Sequence, residues 1–438
     1  MQPKSFWGAE QDAPMLRGRI AADIAIAGGG LSGLTCALWF SRAGLRVTLV
    51  EANELCSGSS AYCAGIVSLA NGMFYTNIEK QWGIDAARCC AETLQSAMRA
   101  VEETARCGNI KHTILSSCLI GKQELLHSEA EAMKRAGVSA QLVPLNKRGC
   151  ISETVLMMEK AAVLHTGEYL SFLIHAAREA GVKLYAHSRV RALDVQEIHT
   201  EYGSVQAPYI VIATGYPILN IPGWYFTRMQ QYHCSMAALN TQDPTEQIYQ
   251  SIEGKWRLRP FGKGALLAWQ ENLAGCREEE SAYPKEIAKL SLPCATHSFR
   301  GLECYTADGL PFIGTYGRRT PNLFVAAGYG GMGLLGSMMA AQAISAQILG
   351  LPSRGYEIYS GQRRLKNFHT PLAIGGRYAT GILTRPSAPR CPHMGCKLVY
   401  NSVSKLWECP CHGSRFDDIG HVLNAPAVHD AVFKNRRP

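Results

Sequence analysis

Ala22-Asp23-Ile24-Ala25-Ile26-Ala27-Gly28-Gly29-Gly30-Leu31-Ser32-Gly33 is the stretch that decides the fold. Residues 22–27 form a short apolar run of the buried-strand kind, and the run breaks into glycines. A helical pattern follows from Leu31 to Arg42, with Gly44 placed to stop it, and residues 46–50 read as a second strand closed by Glu51. Gly28, Gly30 and Gly33 make G-x-G-x-x-G, where missing side chains let the backbone turn tightly and approach a pyrophosphate. The helix N-terminus would then offer N–H groups and a positive dipole end to that anion. Glu51 is placed to accept hydrogen bonds from a ribose hydroxyl, with Ala52 beside it in the same nucleotide set. Strand, glycine turn, helix, strand and acid in this order point to a dinucleotide. A glycine-rich turn without a ligand stays open on these residues alone.

The chain has 438 residues, 47% hydrophobic and 18% charged, which is globular and longer than one ordinary domain. Residues 1–19 carry no long apolar core of the signal type. The longest uncharged stretch, 323–351, holds six glycines and two glutamines, so it reads as strand, turn and buried helix rather than a membrane span. Sixteen cysteines at mostly scattered spacings suggest a reducing cytoplasm. The net charge of +9 is uneven: residues 354–438 carry thirteen Lys or Arg against five Asp or Glu. That basic tail surrounds a cysteine–histidine motif, so an acidic external one-electron carrier, or plain solubility, is favoured over nucleic acid. A homo-oligomer stays open.

Along the chain, residues 79–106 and 122–137 have helical spacing. Thr166 is placed to cap a helix over 167–180 that Gly181 ends, and a strand follows at 182–186. Tyr209-Ile210-Val211-Ile212-Ala213-Thr214-Gly215 and Leu323-Phe324-Val325-Ala326-Ala327-Gly328 are apolar runs stopping at glycine, as expected of strands ending beneath a cofactor. Residues 228–239, 248–260 and 264–270 look like antiparallel strands of a substrate region.

Leu55-Cys56-Ser57-Gly58-Ser59-Ser60-Ala61-Tyr62-Cys63-Ala64-Gly65-Ile66 resembles the corresponding stretch of the D-amino-acid oxidase/glycine oxidase/sarcosine oxidase superfamily of flavoproteins. The resemblance implies FAD, with Ser59 and Ser60 at the pyrophosphate, the Ala64-Gly65 pair passing close to the flavin ring, and Ile66 in the same cofactor-binding set. Tyr62 stands where some relatives place a histidine bonded covalently to the flavin, so a non-covalent flavin is implied. In the same superfamily the valine matching Val190 lends its backbone to the adenine; simple strand packing is the alternative. Ala307-Asp308-Gly309-Leu310-Pro311-Phe312-Ile313-Gly314 and the segment 322–336 match the C-terminal signature of that superfamily. By that match Asp308, Gly328, Gly330, Gly331, Met332, Gly333 and Leu334 join Ala213, Thr214 and Gly215 around the cofactor, and a helix starting there would stabilise negative charge on it. One departure is informative. Amino-acid-oxidising relatives carry an arginine shortly before this block to grip the substrate carboxylate, and Glu303 matches that position. An acid there repels a carboxylate and attracts an ammonium, making Glu303 the catalytic-site candidate and the substrate an amine, such as a diamine or a methylated amine; the alternative is that it pairs with Arg300 or another neighbour. No second glycine fingerprint follows residue 182, which disfavours NAD(P)H-linked disulfide reductases.

Cys391-Pro392-His393-Met394-Gly395-Cys396, then twelve residues, then Cys409-Pro410-Cys411-His412-Gly413-Ser414, resembles the Rieske iron–sulfur family. The resemblance implies a [2Fe-2S] cluster held by Cys391, His393, Cys409 and His412, with Cys396 and Cys411 matching the pair that forms a disulfide in many members. Zinc is the competing reading of such a Cys/His set. Ser414 keeps the hydroxyl that high-potential members use, while Phe416 replaces a tyrosine, which implies a lower potential.

The expected architecture is α/β with an α+β substrate region. A Rossmann-like FAD-binding domain (20–80, 160–225, 305–353) interleaves with an antiparallel-sheet substrate or cap domain (81–159, 226–304). A linker (354–385) leads to a Rieske lobe (386–438) too short for a full barrel. The expected function is oxidation of a C–N bond in an amine or amino acid, with electrons leaving FAD singly through the cluster to an external acceptor. The alternative is an electron-transfer component serving a separate enzyme. A self-contained oxygenase is disfavoured, because no closely spaced histidine pair lies outside the cluster boxes.

Overall fold

A computed structural model describes residues 7–8, 12–145, 154–194, 196–240, 245–276, 295–353, 355–366, 369–382 and 389–433. The Ile24–Ala27 strand is buried throughout, and its alternation splits it between two cores. Ile24 and Ile26 pack with Leu31, Leu34 and Leu38 of the following helix, while Ala25 and Ala27 face Leu16, Ile198, Val205 and Tyr216 on the other side. That burial on both faces is why the strand is apolar without a polar alternate.

Around it a six-stranded sheet runs in the order Phe312–Gly317, Thr320–Ala327, Tyr209–Gly215, Ile24–Ala27, Val47–Val50, Lys183–Tyr185. All neighbours are parallel except the first hairpin. The helices Leu31–Arg42, Thr166–Glu179 and Gly333–Ile348 pack together against it. Strand order reverses beside Ile24–Ala27, so the crevice at its carboxyl end is the natural ligand position of such a sheet.

A second, nine-stranded sheet is mostly antiparallel. It runs from Ala295–Thr306 through Met229–Leu239, Gly264–Leu273, Trp256–Phe261 and Ile248–Ser251 to His112–Ile120, Thr154–Leu164 and Ile66–Val67, with Gln141–Pro144 paired alongside. Ile66–Val67 and residues 160–164 of the Thr154–Leu164 strand thus join this sheet from outside the segments 81–159 and 226–304. The third sheet pairs Gly18–Ala21 with Gly203–Gln206, Glu197–His199 and Ala192–Leu193. The fourth, of four short strands within Val399–Asn424, forms the C-terminal lobe.

Three local expectations are corrected. The pattern over 79–106 is two helices, Phe74–Trp82 and Ile84–Cys107, broken at Gly83, whose φ of 91° suits only glycine comfortably. His165, not Thr166, caps the Thr166–Glu179 helix: its Nδ1 accepts the Glu168 N–H at 3.2 Å, while the Thr166 hydroxyl donates to the Cys63 carbonyl. The expected linker contains a helix, His369–Ile382. Among the described residues no helix is long and apolar enough to cross a membrane.

Candidate functional site

The glycine turn is shaped by backbone contacts rather than by composition. A Cβ on Gly33 would sit 1.8 Å from the Gly28 carbonyl oxygen, and one on Gly28 would sit 2.3 Å from that of Ala213. Gly28 also has a φ of 110°. The carboxyl ends of Ile24–Ala27 and Tyr209–Gly215 therefore touch, which brings Ala213, Thr214 and Gly215 to the turn. The Thr214 hydroxyl is used within its own bend, donating to the Tyr216 carbonyl at 2.6 Å. Ser60 lies over the start of the Leu31–Arg42 helix, its Oγ accepting the Leu31 N–H at 2.9 Å, and Ser59 donates to the Leu302 carbonyl. The Ser32 hydroxyl bonds Tyr329 at 2.8 Å and stands 3.3 Å from Ser337, tying this turn to the second glycine loop. That loop, Gly328, Gly330 and Gly331 at positive φ followed by Met332, leads into Gly333 and Leu334 at the start of the Gly333–Ile348 helix. Neither helix carries an acidic residue in its first turn, so both dipole ends are open to an anion.

Glu51 closes the second strand as expected; one carboxylate oxygen accepts the Gly29 N–H at 2.7 Å and the other the Asn53 N–H at 2.9 Å. Ala52 and the buried Val190 lie on adjoining segments, joined by Ser188 N–H donating to the Glu51 carbonyl. Asp308 is buried and already partnered. Its carboxylate forms a bidentate pair with Arg363, 2.7 Å to each oxygen, and caps the Leu310 N–H. The remaining residues fit a flavin dinucleotide: a cradle that side chains would fill, two unopposed helix starts, and an acid at the second strand. Gly28, Gly30, Leu31, Ser32 and Gly33, with Ser59 and Ser60, would hold the pyrophosphate, and Gly65, Ile66 and Gly328–Leu334 the ring.

Facing that loop is one side of the nine-stranded sheet. In Trp256–Phe261, Trp256 and Leu258 enter an apolar cluster with Leu267 and Trp269, while Arg257 and Arg259 point the other way. Arg257 donates to the Gly331 carbonyl at 2.8 Å, Asn71 at 2.6 Å and Gln250 at 3.1 Å. Arg259 is 4% exposed and packs over Trp7 and Phe261. Its Nη1 donates to the Pro260 carbonyl, but its Nε and Nη2 have no hydrogen-bond partner among the described residues. Burial lowers its pKa to about 10, which leaves it charged at neutral pH. A Cβ on Gly65 would come 3.5 Å from Arg259 Nη2, so this cation reaches the segment expected beside the flavin. Glu303 lies on the same face, its Oε2 accepting from Tyr305 at 3.1 Å and from the Cys234 thiol at 3.5 Å. Arg300 pairs with Glu271, not with Glu303. Burial raises the pKa of the Cys63 thiol, and the charges of Glu303, Arg259 and Arg257 also act on it. The sequence reading missed both arginines; the available signal was their i, i+2 spacing in an apolar strand.

The C-terminal lobe brings the four cluster residues and the extra cysteine pair together. The Cys396, Cys409 and Cys411 sulfurs lie within 4.8 Å of one another, Cys391 hydrogen-bonds Cys409, and the Cys396 and Cys411 sulfurs are 2.6 Å apart. The His393 and His412 rings are 5.0 Å apart, edge to face. Hydrogen bonds from Cys391, Cys396 and Cys411 hold the Cys409 thiol well below the ordinary range, and burial followed by His412 lowers His393 to about 4. The same hydrogen bond with Cys409, and burial, push the Cys391 thiol up, so the two cysteines share one proton. Neutral imidazole is the metal-binding form of His393. The Nδ1 atoms of both histidines are buried without hydrogen-bond partners among the described residues, as expected of nitrogens reserved for iron. The set therefore fits a two-cysteine, two-histidine cluster.

The imidazole end faces the flavoprotein body. His393 Nε2 is 2.5 Å from Asn220 Oδ1, and the His412 ring lies 5.8 Å from Phe226 and 6.5 Å from Tyr216. Gln231 donates to the His412 and Ala425 carbonyls, and His233 meets Glu408. Lobe and body thus share a packed polar interface.

Comparisons with known proteins agree with this division. The model of the FAD dependent oxidoreductase family (DAO) matches residues 23–347, and that of the Rieske [2Fe-2S] domain matches residues 385–434. A putative Rieske 2Fe-2S iron-sulfur protein, YhfW, of Bacillus subtilis (strain 168) is 23% identical, covering 97% of this chain and 96% of its own. The cytochrome b6-f complex iron-sulfur subunit of Synechococcus sp. (strain CC9605) is 46% identical over 71 residues, 16% of this chain and 39% of its own. Among solved structures, glycine oxidase from Geobacillus kaustophilus aligns with a TM-score of 0.63 at 17% identity, covering 79% of this chain and 100% of its own. L-proline dehydrogenase from P. horikoshii aligns at 0.62 and 18%, covering 80% and 98%.

Proposed function

Because the chain belongs to the FAD dependent oxidoreductase (DAO) family and carries a Rieske [2Fe-2S] domain behind it, we propose that it oxidises the C–N bond of an amino acid and delivers the electrons through the lobe to an external one-electron acceptor. One observation carries the reading: the partly unpaired guanidinium of Arg259 reaches Gly65, on the face of the nine-stranded sheet that also bears Glu303. A carboxylate is the group that such a guanidinium complements, and an α-amino acid carries one beside its amino group.

When bound, the flavin supplies the capacity to take a hydride from the carbon next to nitrogen, and the cluster that to carry single electrons. The chain's own residues do the rest. The Nε and Nη2 atoms of Arg259 orient the carboxylate, with the guanidinium held over Trp7 and Phe261. Glu303 Oε2, fixed by the Tyr305 hydroxyl, attracts the amino group. Arg257 pins the Gly331 carbonyl and so holds the glycine loop. The apolar faces of Trp7, Phe261 and Met236 exclude water from this side of the sheet. Oxidation yields an imine, which water hydrolyses after release.

The likeness in fold to a glycine oxidase and an L-proline dehydrogenase supports an amino-acid substrate. The positive charge concentrated in residues 354–438 supports an acidic carrier, and unpaired buried thiols such as Cys36, Cys56 and Cys90 support a reducing cytoplasmic setting. An anaerobic titration with matched amino acids and amines, following flavin and cluster absorbance together, tests the reading. Bleaching by an amino acid and not by its decarboxylated amine is expected. Bleaching by neither, or by the amine alone, overturns it.

A further inference from the structure

We propose that the iron–sulfur lobe forms one wall of the adenosine end of the FAD site, so that flavin binding and lobe docking strengthen each other. This inference rests on the flavin itself and not on the substrate assigned above.

A cavity of about 320 Å³ lies between body and lobe, at the low end of the range for small-molecule sites. Its body wall includes Ala52, Asn53, Ser188 and Arg189, and its lobe wall includes His421 and Leu423. The body wall is the continuation of the nucleotide fingerprint. Ala52 and Asn53 follow directly on Glu51, whose Oε1 accepts the Asn53 N–H, and Ser188 and Arg189 lead into Val190. The acid placed for the ribose thus directly precedes two lining residues of a cavity whose other wall is the lobe.

The same residues also seat the lobe. Asn53 Nδ2 and Arg189 Nη2 both donate to the Leu423 carbonyl, at 3.4 and 3.2 Å, and Arg189 also reaches Asn53 Oδ1 at 3.1 Å. Arg191 Nη1 donates to the Val428 carbonyl at 2.6 Å and lies 3.7 Å from Asp430, whose carboxylate in turn accepts the Val422 N–H. Groups that line the cavity are therefore held in place by lobe backbone. A ligand that binds only the docked arrangement stabilises it by mass action, and docking tightens the ligand by the same factor.

The test uses the full chain with its cluster in place and its flavin removed. Hydrogen exchange of the amides at 417–423 is compared in the deflavinated protein, with FAD, and with FMN, which lacks the adenosine. Protection that rises with FAD and not with FMN is expected; no change with FAD, or equal change with both, overturns the proposal. In parallel, His421→Trp fills the cavity from the lobe side, where the imidazole is largely exposed and bonded only to Asp417. By calorimetry this variant should bind FAD about tenfold more weakly or worse, with the cluster's electron paramagnetic resonance signal unchanged. FAD affinity within about twofold of wild type overturns the proposal. If the variant does not fold, exchange in the wild-type chain decides alone. Neither measurement uses substrate, so failure of the amino-acid assignment leaves the result intact.

Discussion

His233 and Glu408 meet across the boundary between the flavoprotein body and the iron–sulfur lobe, imidazole Nε2 to carboxylate Oε2 at 2.9 Å, with side chains 1% and 0% exposed. The same carboxylate oxygen accepts the Gly275 N–H at 2.9 Å, and a Cβ on Gly275 would strike the Pro410 backbone at about 2.5 Å. A buried carboxylate is tolerable only while its partners stay in place. The lobe is therefore held in one orientation, with its histidines against Phe226 and Tyr216.

His233→Ala strands the Glu408 carboxylate and should weaken docking by about 3 kcal/mol. Differential scanning calorimetry would register a separate, earlier transition for the lobe. His233→Gln, which can still donate, should restore part of the loss. A single unshifted melt for the alanine variant would contradict this account of the interface.

Arg259→Ala removes a charge-assisted contact of about 2–3 kcal/mol, so the KM for an amino acid should rise on the order of 30- to 150-fold. Weak binding of the matching decarboxylated amine, read as a non-reducing ligand from flavin difference spectra, should be unaffected. Arg259→Lys should recover little, because an ammonium cannot reproduce the forked geometry. Equal losses for both ligands would place Arg259 in a structural role.

Gly33→Ala drives a methyl group into the Gly28 carbonyl, 1.8 Å away, and should open the phosphate turn. The purified variant should lose its flavin absorbance while retaining the cluster's visible bands. Wild-type flavin content would show that the turn yields more easily than its contacts imply.

Cys391→Ser and His412→Ala each remove a proposed cluster ligand. Both should abolish the Rieske electron paramagnetic resonance signal. Anaerobic bleaching of the flavin by substrate should persist, with transfer to a one-electron acceptor lost. A variant that loses bleaching along with the signal would point to a second role for the lobe.

Phe416 is fully buried between the Leu406–Glu408 and Val422–Asn424 strands, next to the Ser414 loop. Phe416→Tyr should raise the cluster's midpoint potential by about 40 mV, the one-electron equivalent of one hydrogen bond near 1 kcal/mol. Ser414→Ala should lower it by a similar amount, since the Ser414 hydroxyl hydrogen-bonds Cys391. Protein-film voltammetry reads both, and shifts of the opposite sign would overturn the assignment.

The sequence by itself determined what depends on neighbours along the chain. Glycine spacing set the turn between Ile24–Ala27 and Leu31–Arg42, apolar runs of strand length set the buried strands, and the two Cys/His boxes marked the iron–sulfur domain and its proposed ligands. Each is a local conformation or a short loop, so residue type and spacing suffice. Only the tertiary structure decided which polar groups meet. Arg259 and Glu303 share a face because the pairing register of the nine-stranded sheet puts them there, and one residue of slip would turn either side chain to the opposite side. Asp308 met Arg363, 55 positions away, and His233 found Glu408 175 positions away. Such pairings are settled by burial: a charged group removed from water must take whichever partner the packed chain brings within reach, and no pattern along the sequence records that choice.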